Sequence, residues 1–228
     1  MFELTDEQKA LVDAARTAAQ DILGPTLKED DEAERFRKDL FARLGAAGLC
    51  GIPTSGDYGG LGLGYFEYCL ALEEIAAVSA SYGVSVAVNG LPQVILGEFG
   101  NDAQKARWMP GLAAGELLGA FALSEPGSGS DAASLRTTAQ REGDYYRLNG
   151  TKFWITHGGY ADVYVLMART GGEGPKGISA FLLPGDTPGL SFGKKEEKMG
   201  LRASPTVELI LDNAMIPAEP LLGKEGDG

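Results

Sequence analysis

The stretch Phe121-Ala-Leu-Ser-Glu-Pro-Gly-Ser-Gly-Ser-Asp131 joins a short apolar run to a loop of small residues. Residues 118–123 have the composition of a β-strand, and the glycines and serines that follow Ser124 favour an irregular loop. Such a loop lets a ligand approach the backbone closely and offers N–H and hydroxyl donors to anionic oxygens. Taken alone, the loop fits an ordinary turn between strands equally well.

A second stretch, Asn149-Gly-Thr-Lys-Phe-Trp-Ile-Thr156, combines a strand pattern with an aromatic ring. Strict alternation predicts that Lys152, Trp154 and Thr156 share one face of the strand, with the residues between them on the other face. An indole and a hydroxyl two residues apart suit a flat heteroaromatic ligand, because one covers its face and the other hydrogen-bonds its edge. The alternative is a half-buried strand in which Trp154 only packs.

The periodicity of the chain changes near residue 116. Before it, apolar residues recur at helical spacing, and Thr5 and Gln8 have the spacing of a capping box. Helices followed by strands predict an α+β chain, with an all-α helical domain at 1–116 and an antiparallel β-barrel-like domain at 117–228. The predicted strands after this point are 118–123, 133–141, 145–149, 151–156, 162–168, 177–183 and 206–211.

Several local patterns add detail to this division. Residues 65–80 are apolar almost all round, which predicts a central helix packed on several sides. Residues 84–99 are similar, but Gly90 and Pro92 predict a kink or break. In the second half, Asn149-Gly150 predicts a hairpin turn between two strands.

Composition excludes some classes of function. The formal net charge of −12 argues against nucleic-acid binding, which depends on Lys and Arg, and favours a soluble, cytoplasmic protein. No stretch approaches the ~20 apolar residues of a membrane span, so we expect no membrane association. Cys50 and Cys69 are expected to be reduced, buried thiols. His157 is the only histidine, so a multi-histidine metal site or a histidine-based triad is not expected.

In this order, the two stretches resemble those of the acyl-CoA dehydrogenase family, and the resemblance covers essentially the whole chain. It implies that family's N-terminal helical domain and middle β-domain, with FAD as the cofactor. Further matching segments are Tyr58-Gly-Gly-Leu-Gly62, Gly115-Glu-Leu117, Asp162-Val-Tyr164, Lys198-Met-Gly-Leu-Arg202, Ile216-Pro-Ala218 and Leu222-Gly223.

The resemblance also implies residue roles. Ser124 is implied near N1 and O2 of the flavin, Trp154 on the flavin face opposite the substrate, and Thr156 at flavin N5. Ser130 and Arg202 are implied on the side of the substrate's CoA. The implied flavin-binding residues are Phe121, Ala122, Leu123, Ser124, Gly129, Ser130, Trp154, Ile155 and Thr156.

Two positions depart from the pattern of the family. Ser124 stands where many relatives have Thr, which keeps the hydroxyl. His157 stands where Asn is more common after Trp-Ile-Thr. We expect His157 to pack behind the site or to lie at the surface near it, rather than to act as a base.

The resemblance implies a flavin-dependent oxidation that introduces an α,β double bond into an acyl-CoA thioester, as in fatty acid β-oxidation. The expected partners are acyl-CoA and an electron-transfer flavoprotein, and the expected assembly is a homodimer or homotetramer. No catalytic base is expected within residues 1–228, because the family's Glu lies in a second helical domain, beyond Gly228. Residues 1–228 alone are therefore expected to bind FAD weakly and to be inactive.

Three other interpretations stay open at this point. An acyl-CoA oxidase or a flavin monooxygenase can use the same scaffold, and oxygen consumption would distinguish them from a dehydrogenase. A non-catalytic chain that pairs with a separate polypeptide is the third.

Overall fold

The computed structural model describes residues 3–228. In this part of the chain, six α-helices precede a β-sheet, and none of the helices is both long and apolar enough to cross a membrane. The helices are α1 (Asp6–Leu23), α2 (Leu27–Glu32), α3 (Lys38–Ala46), α4 (Tyr65–Val78), α5 (Ala80–Phe99) and α6 (Asp102–Ala113).

Two helices begin at capping boxes that the sequence encodes. At the start of α1, the Gln8 N–H donates to the Thr5 hydroxyl over 3.2 Å, and the Thr5 N–H donates to the Gln8 side chain over 3.0 Å. Asn101 and Gln104 make the same reciprocal pair at the start of α6. Both boxes satisfy N–H groups that a helix cannot pair internally, and the helix start predicted from Thr5 and Gln8 is confirmed.

The prediction of a central helix at 65–80 is wrong, and so is the predicted break at Gly90 and Pro92. Helix α4 buries only Ala71 and Ile75, and Tyr65 and Phe66 are exposed, so it is not a central helix. Helix α5 runs without a break through Pro92. Proline removes one helical hydrogen bond, but α5 is fixed on both sides by packing against α4, α6 and β1, which overrides that local cost.

The second half forms one sheet, in the order β6-β7-β3-β2-β4-β5-β8, and β1 pairs with β4 in parallel. The other long pairings are antiparallel, while β2 meets β4 through a single parallel pair. The strands are β1 (Gly119–Ala122), β2 (Thr138–Glu142), β3 (Tyr145–Thr156), β4 (Val163–Arg169), β5 (Ile178–Pro184), β6 (Leu190–Lys195), β7 (Thr206–Pro217) and β8 (Leu221–Leu222).

The predicted α+β architecture is confirmed: a helical region precedes a mostly antiparallel sheet, which is not closed into a barrel. The predicted hairpin at Asn149-Gly150 is wrong, because β3 continues through it. Gly150 has a φ of +149°, and a Cβ there would lie 2.5 Å from the Thr137 hydroxyl. Glycine at this position thus allows β3 to lie close to a neighbouring segment, and it does not form a turn.

The helices and the sheet share polar and apolar contacts. On α5, the Asn89 side chain donates to the Leu112 carbonyl over 2.9 Å and accepts from the Gly119 N–H over 2.8 Å. Asp162 accepts from the Leu118 N–H over 2.8 Å. A mixed apolar cluster joins α5 and α6 to the sheet; it contains Leu96, Trp108, Met109, Leu112, Val163, Val165, Leu182 and Leu222.

The two thiols lie in different environments. Cys50 is buried, and burial raises the pKa of its thiol to about 12. Cys69 is exposed on α4, so the expectation of a second buried thiol is wrong. The reason is the open side of α4, which leaves its apolar residues uncovered.

Candidate functional site

An open cavity of about 200 Å³ lies where α5 faces the ends of β1 and β3. Residues from both informative stretches line it, so segments about thirty positions apart in sequence meet at one place. Its lining residues are Val88, Leu91, Phe121, Leu123, Ser124, Phe153, Trp154, Ile155 and Thr156. Ala122, between two of them, is buried instead.

The two stretches are joined directly. The Phe153 N–H donates to the Ser124 carbonyl over 2.8 Å, which holds the end of β1 against β3. The hydroxyls of Ser124 and Thr156 have no hydrogen-bond partner among residues 3–228. Two free hydroxyls beside apolar walls can bind the polar edge of a flat ring while the walls contact its faces.

A β-bulge sets the direction of the residues at the end of β3. Lys152 pairs with Leu209 and Ile155 pairs with Val207, so Phe153 and Trp154 together oppose a single residue of β7. The predicted alternation from 152 to 156 is therefore wrong, because a bulge inserts one extra residue and resets the two faces.

The bulge exposes Trp154. Its backbone is left-handed, with φ of +58°, and 60% of its surface is accessible. A non-glycine residue in this region is strained, and such strain is typical of functional positions. Lys152 and Ile155, on either side of the bulge, are both buried. The indole is thus presented to the cavity while its neighbours anchor the strand.

An ion pair lies behind the cavity wall. The Lys152 ammonium donates to Glu125 over 2.7 Å and to the Leu123 carbonyl over 2.9 Å, and both side chains are buried. Glu125 also accepts from the backbone N–H groups of Arg136 and Thr137, at 2.6 and 2.9 Å. These bonds connect the loop after β1, β3 and the segment before β2.

The pKa values of this pair follow from burial and from its hydrogen bonds. Burial opposes ionisation of Glu125, but the bonds from Lys152 and from the two N–H groups outweigh it and hold the carboxyl pKa below its usual value. Burial lowers the pKa of Lys152, and Glu125 opposes that change. A carboxylate with three donors stays ionised at neutral pH and keeps the ammonium in place.

The loop after Glu125 begins with a tight turn. The Glu125 and Ser128 backbones exchange hydrogen bonds, and the Ser128 hydroxyl donates to the Asp131 carbonyl over 2.7 Å. Gly129 and Ser130 are exposed and are not among the cavity-lining residues. Their implied roles beside the flavin and CoA stay predictions.

His157 is fully buried at the end of β3. Its Nδ1 lies 2.9 Å from the Gly119 carbonyl, which can only accept, so Nδ1 carries the proton and Nε2 is unprotonated. Nε2 has no hydrogen-bond partner among residues 3–228, and the ring packs beside Phe36 and Phe41. Burial lowers the pKa of His157 to about 4. This residue packs behind the site, and no base function follows from its geometry.

Arg202 contacts the helical region. Its guanidinium donates to Glu34 over 3.0 Å, and its backbone N–H donates to Asp31 over 3.2 Å. The Arg202 guanidinium lowers the pKa of Glu34, chiefly by hydrogen bonding. A role for Arg202 toward CoA stays a prediction.

Sequence reasoning did not single out Val88, Leu91 and Phe153 as lining residues, nor the buried pair of Lys152 and Glu125. Val88 and Leu91 are three residues apart on α5, so a shared helical face was the available signal. Nothing in the sequence pattern indicated that the charges of Lys152 and Glu125 meet inside the protein.

Comparisons with known proteins identify the family of the chain. The family model for the acyl-CoA dehydrogenase N-terminal domain matches residues 5–116, and that for the acyl-CoA dehydrogenase middle domain matches residues 120–214. An acyl-CoA dehydrogenase of Bacillus subtilis is 45% identical over 231 residues, which cover 100% of this chain and 60% of that protein. A short-chain specific acyl-CoA dehydrogenase of Clostridium acetobutylicum is 40% identical, with the same coverage of 100% and 60%.

Solved structures show the same fold. Butyryl-CoA dehydrogenase from Megasphaera elsdenii superposes with a TM-score of 0.94 at 38% identity, covering 100% of this chain and 61% of that one. Glutaryl-CoA dehydrogenase from Mycobacterium smegmatis in complex with FADH2 gives 0.91 at 36% identity, covering 98% and 57%. A chain from work on the electron transferring flavoprotein of Acidaminococcus fermentans gives 0.95 at 42% identity, covering 100% and 60%.

The chain thus spans about three fifths of the length of the relatives that it matches. The two family models together cover both the helical region and most of the sheet. The chain belongs to the acyl-CoA dehydrogenase family and carries that family's N-terminal and middle domains.

Proposed function

We propose that the cavity at the end of β3 binds the isoalloxazine ring of FAD. The observation that carries this proposal is the convergence of Ser124, Trp154 and Thr156 on one cavity with apolar walls. Trp154 covers one face of the ring, and the two hydroxyls donate to its polar edge. Val88 and Leu91 of α5 exclude water from the same space.

We propose further that the whole protein introduces an α,β double bond into an acyl-CoA thioester. When bound, the flavin accepts the hydride that leaves the β-carbon. The residues described above hold the ring in a fixed orientation, so that its reactive edge meets the substrate. The carboxylate that removes the α-proton comes from outside residues 1–228 in this proposal, since the lining residues of the cavity are apolar or carry hydroxyls.

The proposed partners follow from the same assignment. Ser130 and Arg202 bind the CoA part of the substrate, electrons leave to an electron-transfer flavoprotein, and the whole protein assembles as a homodimer or homotetramer in the cytoplasm. The names of the acyl-CoA dehydrogenases among the relatives support acyl-CoA as the class of substrate.

The first experiment measures FAD binding to the chain by flavin absorbance and by quenching of tryptophan emission. FAD should bind, and the nicotinamide dinucleotide NAD should not. W154A should weaken FAD binding. Y65A is the matched control, because Tyr65 on α4 has the same 60% exposure as Trp154 and lies outside the cavity. Equal loss in both variants would contradict the assigned site.

The second experiment tests the reaction with the full-length protein. Formation of 2-enoyl-CoA is followed with acyl-CoA thioesters of several chain lengths, using ferrocenium as the electron acceptor. Product should form under anaerobic conditions. A flavin-loaded protein that is inert toward every thioester would overturn the dehydrogenase assignment, and activity that requires oxygen would identify an oxidase.

A further inference from the structure

The ammonium of Lys152 contacts the carbonyl oxygen of a peptide group that borders the cavity. It donates to the Leu123 carbonyl over 2.9 Å. That carbonyl and the Ser124 N–H belong to the same peptide unit, and both residues line the cavity. The Ser124 N–H has no hydrogen-bond partner among residues 3–228.

A cation on a peptide carbonyl strengthens the N–H of the same peptide. The ammonium withdraws electron density toward the oxygen, which leaves the N–H hydrogen more positive and a better donor. The effect is largest where water is excluded, and the Lys152 side chain is 0% exposed.

Glu125 fixes the ammonium at this place. The carboxylate is held by the backbone N–H groups of Arg136 and Thr137, so it does not move with the side chain of Lys152. Its charge balances the buried ammonium and opposes the lowering of the lysine pKa by burial. The pair therefore forms a rigid support for the peptide of Leu123 and Ser124.

We propose that Lys152, held by Glu125, is a positioning residue that polarises this peptide, so that the Ser124 N–H binds the anionic edge of a reduced flavin more tightly than the neutral edge of an oxidised one. The inference rests on the proposed flavin site and adds a function for a side chain that does not reach the cavity. Its consequence is a higher reduction potential for bound FAD.

A purely structural pair would behave differently. If Lys152 and Glu125 only stabilised the loop after β1, their loss would weaken both redox states of FAD by the same factor. The ratio of the two dissociation constants therefore separates polarisation from simple support, and that ratio fixes the shift in reduction potential.

The test variant is the double substitution K152M/E125Q in the full-length protein, because removing both partners leaves no unpaired buried charge. The matched control is E142Q/R147M, which removes the partly exposed pair of Glu142 and Arg147 between β2 and β3. K152Q/E125Q serves as a second variant, since it removes both charges and keeps a polar amide at position 152 where K152M has none.

The dissociation constant is measured for oxidised and for reduced FAD, and the potential is measured by equilibration with a reference dye. In both test variants the preference for reduced FAD should fall about tenfold, the size expected for one charge-assisted hydrogen bond, and the potential should become more negative. The control should keep the wild-type ratio.

Two negative outcomes are distinct. If the wild-type protein binds FAD but both test variants keep the wild-type ratio, the inference is wrong and the flavin site stands. If the wild-type protein binds no FAD in either redox state, the proposed function fails and the inference fails with it.

Discussion

The inner and outer faces at the end of β3 differ in what they contribute. On the inner face, Lys152, Ile155 and His157 are at most 2% exposed. On the outer face, Trp154 is 60% exposed, and Thr156 presents a hydroxyl with no partner in the described part of the chain. The bulge lies within these six residues, so the most buried side chains and the exposed indole lie on different faces of one short segment.

This division predicts that inner and outer substitutions have opposite signatures. Inner ones should lower the free energy of unfolding. Outer ones should leave it unchanged and weaken FAD binding. Substitutions at Lys152, His157, Trp154 and Thr156 test this separation.

The largest effect is expected for K152A. It leaves the Glu125 carboxylate buried without its ammonium, which should lower the free energy of unfolding by about 3–5 kcal/mol. Urea denaturation measures this change. The control is E142Q, which removes a partly exposed ion pair and should cost less than about 1 kcal/mol. Comparable losses in K152A and E142Q would show that the buried ion pair contributes no more to the free energy of unfolding than the partly exposed one.

The next effect is a dependence of stability on pH through His157. Burial lowers its pKa from 6.5 to about 4 in the folded protein. Between these values the unfolded chain binds a proton that the folded chain does not, so stability should fall as the pH falls from 6.5 toward 4. The total is about 3 kcal/mol, at about 1.4 kcal/mol for each pH unit.

The measurement for His157 compares urea denaturation of the wild type and of H157F across this range of pH. H157F keeps an aromatic ring in the core but has no titrating nitrogen. Its stability should depend less on pH than that of the wild type, by the amount given above. Parallel pH profiles would mean that His157 does not titrate across this window.

On the outer face, W154A should weaken FAD binding about tenfold, since stacking of an aromatic side chain on a heteroaromatic ring contributes about 1–3 kcal/mol. Its unfolding free energy should stay within about 0.5 kcal/mol of the wild type, as for other exposed positions. Absorbance titration and urea denaturation give the two values. A large loss of stability would show that Trp154 contributes to the free energy of unfolding as the inner residues do.

The smallest effect is expected for T156V, which replaces a hydroxyl by a methyl of the same shape. Loss of one neutral hydrogen bond should weaken FAD binding by about threefold to tenfold. T156S keeps the hydroxyl and should bind FAD as the wild type does. If T156V and T156S lose affinity equally, packing rather than the hydroxyl determines the contribution of this residue.

The sequence was sufficient for the features that depend on local chemistry. Capping residues, the change from helical to strand periodicity, and the glycine–serine loop after Ser124 all act over a few positions. They predicted the α+β fold, whereas a common site for the two informative stretches was implied by the family resemblance.

The features that the sequence could not predict depend on contacts between distant segments. The bulge that reverses the faces near Trp154 is set by the register of β3 against β7. The extended course of β3 through Gly150 depends on the nearby Thr137, and the ion pair of Lys152 with Glu125 depends on β1 lying beside β3. None of these partners is close in sequence, so local sequence patterns do not predict these contacts.

The bridge that Asn89 makes between the Leu112 carbonyl and the Gly119 N–H has a consequence for the walls of the cavity. One amide side chain thus binds both ends of the linker at residues 114–118, which ties α5 and α6 to the start of β1. A ligand in the cavity therefore meets one wall from α5 and another from the sheet, and the Asn89 bridge holds these two walls together.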